Sequence, residues 1–351
     1  MSKQLLSKVR QSASLILFAK SKGEAVTSYD YNVLLFTRTS KSSFMPDSSV
    51  FPGGVCDAAD SAPSWLAHFE RYDVSARKLR DFLSRKAGGP ASNGIDSIDT
   101  ALSLRLTAIR ETFEEMGILL CRDLKTFSNT SGYGQFHEQF DVTHWQKEVH
   151  NDANKFLTLC KELEVIPDIW SLHDWSAWRT PSTFTKRFQT AFFLTALEAK
   201  PSLHVEPIEV KDYAWRSPLE YLQRALAKQL WLPPPQFYEL SRCLNFKTLE
   251  TLREFAEKRA DKGVVLFHPV LFKCSDGWVQ LLPGDEMYPA NPDASSEKIE
   301  TGLSIAEFRA QVQEYKPLHR TEHKNQHESQ LLINFEPADG QVQPIDARKL
   351  L

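Results

Sequence analysis

The chain has 351 residues, of which 42% are apolar and 25% charged, and its formal charge is −3. That is the composition of an ordinary globular protein; it lacks the basic excess of a nucleic-acid binder but leaves room for a local basic patch around an anionic ligand. No run of about 18 apolar residues is present, so no membrane-spanning helix is expected.

The N-terminal residues 1–23 carry Lys3, Lys8, Arg10, Lys20 and Lys22 and no acid, a pattern shared with mitochondrial presequences. The apolar, β-prone run from Ala13 to Phe18 reads instead as a first strand. Residues 14–19 and 31–38 form a predicted hairpin across a polar loop containing Gly23. The unbroken run Val33-Leu34-Leu35-Phe36 predicts a strand buried on both faces. A polar loop, 39–49, then leads to Val50-Phe51-Pro52-Gly53-Gly54, where Pro fixes φ and the glycines accept positive φ. Trp65, Leu66, Phe69, Tyr72, Leu79, Phe82 and Leu83 recur at helical spacing. After a Gly-rich break at 88–94, a helix is predicted from about 97–99 through Leu102, Leu106, Ile109 and Phe113 to Gly117, and Ile118-Leu119-Leu120 then starts a strand. Further expectations are a helical block at 144–163, a central strand at 187–194, a strand at 208–215, helices at 218–228, 235–244 and 248–258, and β-rich stretches at 263–272 and 277–282. The tail from about Lys316, rich in Lys, His, Glu and Gln, reads as loosely ordered. No linker divides the chain. The expectation is one α/β domain over 10–290 with a C-terminal extension, 291–351. Cys56, Cys121, Cys160, Cys243 and Cys274 are odd in number, widely spaced and free of any CxxC pair, which predicts reduced thiols and no zinc site.

The informative segment is Arg110-Glu111-Thr112-Phe113-Glu114-Glu115-Met116-Gly117-Ile118. On a helix, Ile109, Phe113 and Met116 form an apolar stripe, and Glu111, Glu114 and Glu115 lie on the opposite side. Three carboxylates on one face repel one another, and a hard divalent cation reverses that sign. Arg110 stands four residues before Glu114, placed to hold it. The competing reading is a solvated acidic helix face.

RExxEExG closing on a helix-ending Gly, with Phe-Pro-Gly-Gly upstream, resembles the second half of the Nudix box, G-x5-E-x7-R-E-U-x-E-E-x-G-U. Arg110, Glu111, Glu114, Glu115, Gly117 and Ile118 match, and Thr112 replaces the aliphatic residue U. Gly54 is followed after five residues by Asp60, an acid in the place of the first Glu. From Asp60 to Arg110 there are 49 intervening residues where the box has 7; read without the gap, that Glu position falls on Leu102. An insertion there resembles the acyl-coenzyme A diphosphatase family of nucleoside diphosphate-linked moiety X motif 19. Phe44-Met45-Pro46, Pro234-Pro235-Gln236-Phe237-Tyr238-Glu239 and Leu282-Pro283-Gly284-Asp285-Glu286 agree with it. A coenzyme A motif of another Nudix branch is matched at Leu34, Leu35 and Arg38, but Ser43 and Asp47 stand where it has Arg and Gly.

The resemblance implies an α/β/α sandwich with a mixed sheet and helical insertions. It implies Mg²⁺- or Mn²⁺-dependent hydrolysis of a diphosphate, with Glu111, Glu115 and the Gly53 carbonyl on the metal. Glu114 would be a further ligand or the base. Downstream, Glu206 or Glu209 is a candidate fourth carboxylate, against the favoured reading of a solvated loop. Arg38, Lys186 and Arg187 are the candidates for the substrate phosphates. Coenzyme A or acyl-coenzyme A would give 3′,5′-ADP and (acyl-)4′-phosphopantetheine. The rivals are another nucleoside diphosphate derivative (NADH, ADP-ribose, a nucleotide cap) and an inactive Nudix binding module. The family resemblance implies a peroxisome or mitochondrion, although Lys349-Leu350-Leu351 departs from the Ser-Lys-Leu signal. The insertion, 61–107, has three open roles: cover for the core, a wall beside the substrate, or a partner surface.

Overall fold

The apolar runs at the start of the chain become the central strands of a mixed sheet, and their alternation builds a core on each side of it. The computed structural model describes residues 9–21, 28–87, 98–123, 132–293 and 299–350. The Gly-rich break at 88–94 and the first eight residues lie outside that description. Strand β1 (Val9–Lys20) pairs antiparallel with β2 (Tyr31–Arg38), as the hairpin reading expects. Two short strands follow, β3 (Ser49–Val50) on β2 and β4 (Gly53–Val55) on β1.

Next come α1 (Ser64–Glu70), α2 (Ala76–Ala87), α3 (Ile98–Met116), β5 (Leu119–Asp123) and β6 (Phe136–His137). The helical block at 144–163 is two helices, α4 (Val142–Asn151) and α5 (Asn154–Glu162), followed by β7 (Val165–Pro167). Strands β8 (His173–Arg179), β9 (Arg187–Leu197) and β10 (Val210–Arg216) complete most of the sheet. Helices α6 (Pro218–Leu226), α7 (Pro234–Cys243) and α8 (Leu249–Lys258) precede β11 (Leu266–Phe267). The sheet order is β10-β2-β1-β9-β8-β11, with β1 and β9 parallel over eleven residue pairs.

In β1 and β2, Ala13, Leu15, Leu17, Leu34 and Phe36 enter one core with α3 and the inserted helices. Ile16, Phe18, Val33 and Leu35 enter the other with α6, α7 and α8. Helices on both faces of a mixed sheet make an α/β/α sandwich. The insertion covers the core: Trp65, Phe69, Leu79 and Leu83 are buried, Trp65 lies 5.7 Å from Phe156, and Phe69 lies 6.1 Å from Trp170.

The tail corrects the reading of a loosely ordered extension. A second sheet, order β14-β12-β13-β15-β16, joins β12 (Val270–Cys274) and β13 (Gly277–Leu281) to β14 (Ile299–Glu300), β15 (His319–His323) and β16 (Ser329–Ile333). Strands from both sides of residue 290 therefore pair with each other. Helix α9 (Ile305–Ala310) packs on one face through Ile305 and Phe308. Among the described residues no helix is long and apolar enough to cross a membrane, and all five cysteines are free.

Candidate active site

Strand β4 lies along β1 with Gly53 opposite Ser14 and Gly54 opposite Ala13. Gly53 has φ of 150°, and a Cβ there would fall 2.3 Å from the Ala13 carbonyl oxygen. At Gly54 a Cβ would fall 2.4 Å from the carboxyl carbon of Glu111. The two glycines thus let a side-chain carboxylate lie directly on strand backbone. Gly53 N–H donates to Glu115 Oε2 at 2.9 Å.

The acids sit on the last two turns of α3, which ends at Gly117 with φ of 72°. This helix is not half-solvated. Glu114 is 8% and Glu115 3% exposed, so the reading of a solvated acidic face does not hold. Arg110 organises them. Its Nε and Nη2 donate to Asp60 Oδ1 and Oδ2, each at 2.8 Å. Its Nη1 reaches Glu114 Oε1 at 2.5 Å and Glu111 Oε1 at 3.0 Å. Asp60 also accepts from Thr107 Oγ1 at 2.7 Å, and Ser61 Oγ lies 2.9 Å from Ser103 Oγ. The insertion leaves and returns at one place, and Asp60 stands beside Arg110 despite the 49 residues between them.

Burial pushes the Glu111 carboxyl up to about 8, with Arg110 opposing and Glu114 and Asp60 adding to the rise. Burial also lifts Glu115 well above the carboxylate range; repulsion from Glu111 adds to it, and the Gly53 N–H and Arg38 work against it. Glu114 is raised by burial and pulled back by Arg110. Two buried acids short of positive charge, offering oxygen donors alone, suit a hard divalent cation. Among the described residues no three His, Cys, Asp or Glu side chains form a ready cage. Glu114 is turned to Arg110, and its Oε2 lies 3.7 Å from His150 Nδ1.

Glu111, Glu115, Gly53 and Gly54 open on a cavity of about 880 Å³. Glu114 does not line it, whereas Glu209 does. Glu206 serves the loop instead: its N–H donates to the Glu115 carbonyl at 3.0 Å and its Oε1 accepts from Ile208 N–H at 3.1 Å. Arg38, Lys186 and Arg187 all line the cavity. Arg38 Nε donates to Ser42 Oγ at 2.8 Å, and exposed Lys186 Nζ lies 3.5 Å from the Ser43 carbonyl. Buried Arg187 is already paired, with Asp293 at 2.6 Å and His268 Nε2 at 3.3 Å. Among the described residues, none of the insertion 61–107 lines the cavity.

Sequence reasoning missed Arg10 and Arg179, which also face the cavity, and the far wall of Leu271, Trp278, Gln280 and His323. Arg179 ends β8, whose sequence HDWSAWR gives no clean apolar run. The far wall depends on pairing within the second sheet, which no local pattern announces.

A mixed sheet between helical layers, with a glutamate-bearing helix closing on a Gly-Gly strand, defines a Nudix hydrolase. In fold the chain is similar to a NUDIX hydrolase from Alicyclobacillus acidocaldarius, with a TM-score of 0.53 and 21% identity over 71% of this chain and 97% of that one. The family model of the NUDT19 Nudix domain matches residues 9–243, and that of the NUDT19 C-terminal domain matches 271–334. The protein named acyl-coenzyme A diphosphatase NUDT19 from Xenopus laevis is 35% identical over 331 residues, 90% of this chain and 86% of its own. Its human namesake is 35% identical over 359 residues, 96% and 95%. The chain belongs to the NUDT19 family of Nudix hydrolases and is a Nudix diphosphatase.

Proposed function

We propose that the chain hydrolyses the diphosphate of coenzyme A and acyl-coenzyme A, giving 3′,5′-ADP and (acyl-)4′-phosphopantetheine, with Mg²⁺ or Mn²⁺ as cofactor. One observation carries this reading: the half-buried Glu111 and the buried Glu115 open on a single cavity with a row of basic side chains and an apolar wall. Coenzyme A has the matching division, with every phosphate on its nucleotide half and a neutral acyl-pantetheine arm. The names of the relatives agree with it.

Glu111 and Glu115 would hold the ion, with the Gly53 carbonyl and the Glu209 carboxylate available on the same wall. Bound there, a divalent ion neutralises phosphate oxygens and makes water a stronger nucleophile. Gly53 N–H fixes one oxygen of Glu115, and Arg110, anchored on Asp60, aims Glu111. Glu114 acts through Arg110 as a positioning residue. Arg38 and Lys186, with Arg10 and Arg179, take substrate phosphates, and Arg187 joins them by exchanging Asp293 for a phosphate.

The test is a substrate panel with Mg²⁺: free coenzyme A, acyl-coenzyme A of several chain lengths, NADH and ADP-ribose, with products resolved by chromatography. Release of 3′,5′-ADP, abolished by EDTA and restored by Mg²⁺ or Mn²⁺, is expected. A higher kcat/KM for NADH or ADP-ribose, or activity that survives exhaustive chelation, overturns the reading.

A further inference from the structure

We propose that the C-terminal sheet is the nucleoside wall of the cavity, with Trp278 as the platform on which the adenine base stacks, and that the acyl-pantetheine arm lies on the apolar Trp231–Pro235 stretch. This assignment rests on the coenzyme A reading and extends it to the family's second domain.

The argument starts from strand alternation. On β13, Val279 and Leu281 face α9 and close a small core with Ile305 and Phe308. Trp278 and Gln280 therefore point from the opposite face, and both line the cavity. Trp278 is half-buried and stacks on His323, its register partner on β15, with ring centroids 5.2 Å apart and planes 12° apart. The His323 ring is clamped: Nδ1 lies 2.7 Å from Ser329 Oγ and Nε2 lies 2.8 Å from Thr321 Oγ1. Burial brings its pKa down to about 4, so the supporting ring is neutral at working pH. The result is a braced, uncharged aromatic plane with the carboxamides of Gln280 and Gln326 on the same cavity wall. Bases stack on such planes whatever their identity, and carboxamides supply both donor and acceptor to a purine edge.

The placement of charge puts cations beside this wall. Arg187 bonds His268 and Asp293, and Arg179 lies 3.7 Å from Asp293. His268 sits in the short link between β11 and β12, so these cations stand where the main sheet meets the second sheet. The same cavity has an apolar stretch of wall: Phe44, Met45, Trp231, Leu232, Pro233 and Pro235. It is tied to β3 by Ser49 N–H donating to the Trp231 carbonyl at 2.8 Å. Phosphates belong beside the arginines and a neutral chain beside Trp231. An acyl chain laid on the second sheet would instead strip water from Gln280, Gln326 and Ser329 without replacing its hydrogen bonds.

The experiment measures binding of 3′,5′-ADP and AMP to the full chain by calorimetry, in the wild type, Trp278→Phe and Trp278→Leu. It is paired with kcat/KM for free and long-chain acyl-coenzyme A. Trp278→Leu should weaken 3′,5′-ADP by about tenfold, the scale of losing one stacked base, while Trp278→Phe keeps most of the affinity. The ratio of kcat/KM for long-chain over free coenzyme A should hold. Equal binding by all three proteins, or a tenfold change in that ratio with Trp278→Leu, overturns the proposal. Hydrogen exchange on the wild type needs no variant: 3′,5′-ADP should protect residues 277–281 and 319–323, and protection confined to 231–236 overturns the proposal. If coenzyme A is not cleaved but AMP binding still depends on an aromatic at 278, the substrate reading falls and the platform stands. If coenzyme A is cleaved and adenine binding is indifferent to Trp278, the platform falls alone.

Discussion

Two groups of buried acid meet at the end of α3, and the chain treats them oppositely. Asp60 receives Nε and Nη2 of Arg110, the Thr107 hydroxyl and a backbone N–H from Asp57 at 3.0 Å. Glu111 and Glu115 share one edge of Arg110, one N–H of Gly53 and the distant charge of Arg38, and both are held well above the ordinary carboxylate range. Breaking a satisfied buried pair costs a fold dearly, whereas a buried charge left short of partners marks the place where a ligand supplies the rest. The same helix end is scaffold on one side and site on the other.

The sharpest way to break that distinction is to neutralise each group in turn. Glu111→Gln and Glu115→Gln should each lower kcat by at least about 100-fold, the scale of losing a general base or a metal ligand. Their melting temperatures should hold or rise, since like-charge repulsion is relieved. Asp60→Ala should instead lower unfolding free energy by about 3 kcal/mol, read by denaturant titration, because it strands a buried guanidinium. Glu114→Gln, acting through Arg110, should cost less activity than either cavity-facing glutamate. If Asp60→Ala keeps full stability, or Glu115→Gln unfolds the chain, scaffold and site are not separable in this way.

How much of this was legible beforehand follows from how local each signal is. Arg110 to Gly117 is one helix end, so its spacing predicts the Arg110–Glu114 pair that the structure contains. Gly53 and Gly54 are read from chain geometry alone. The burial of α3 on nearly every side is not legible, because it depends on inserted helices and on α4 closing over the acids. Strand β8 escapes for a related reason. Its polar residues are buried in distant pairings, such as Asp174 with Arg105, and cancel the apolar pattern. The second sheet is assembled from strands up to about 60 residues apart whose exposed faces become the cavity wall, and composition mistakes that for a loose tail.

The glycines sharpen the comparison at finer scale. At Gly54 the obstruction to a Cβ is the end of the Glu111 side chain, which can swing aside. Gly54→Ala should therefore keep its melting temperature and lose about tenfold in kcat, because Glu111 is displaced by about an ångström. At Gly53 the obstruction is the backbone of Ala13 and Ser14 at a φ of 150°. Gly53→Ala should cost about 1–3 kcal/mol of stability through strain. Equal effects of the two changes on stability would mean that Glu111 is locked in place rather than poised.

The smallest effect is the pH dependence of the metal-free protein. Glu111 titrates near 4.5 when unfolded and about 8 when folded. Between those values the folded chain binds more protons than the unfolded one, so stability falls as pH rises. Burial sets this sign; Arg110 opposes it, and the facing acids Glu114, Asp60 and Glu115 add to it. In EDTA the melting temperature should decline from pH 5 to pH 8, and Glu111→Gln should flatten that decline. Saturating Mg²⁺ should flatten it too, since an ion that binds only the folded, ionised carboxylates stabilises most where they are most strained. A metal-free chain whose stability instead rises through this range would show that Glu111 and Glu115 are already compensated from within the protein, and the contrast with Asp60 would disappear.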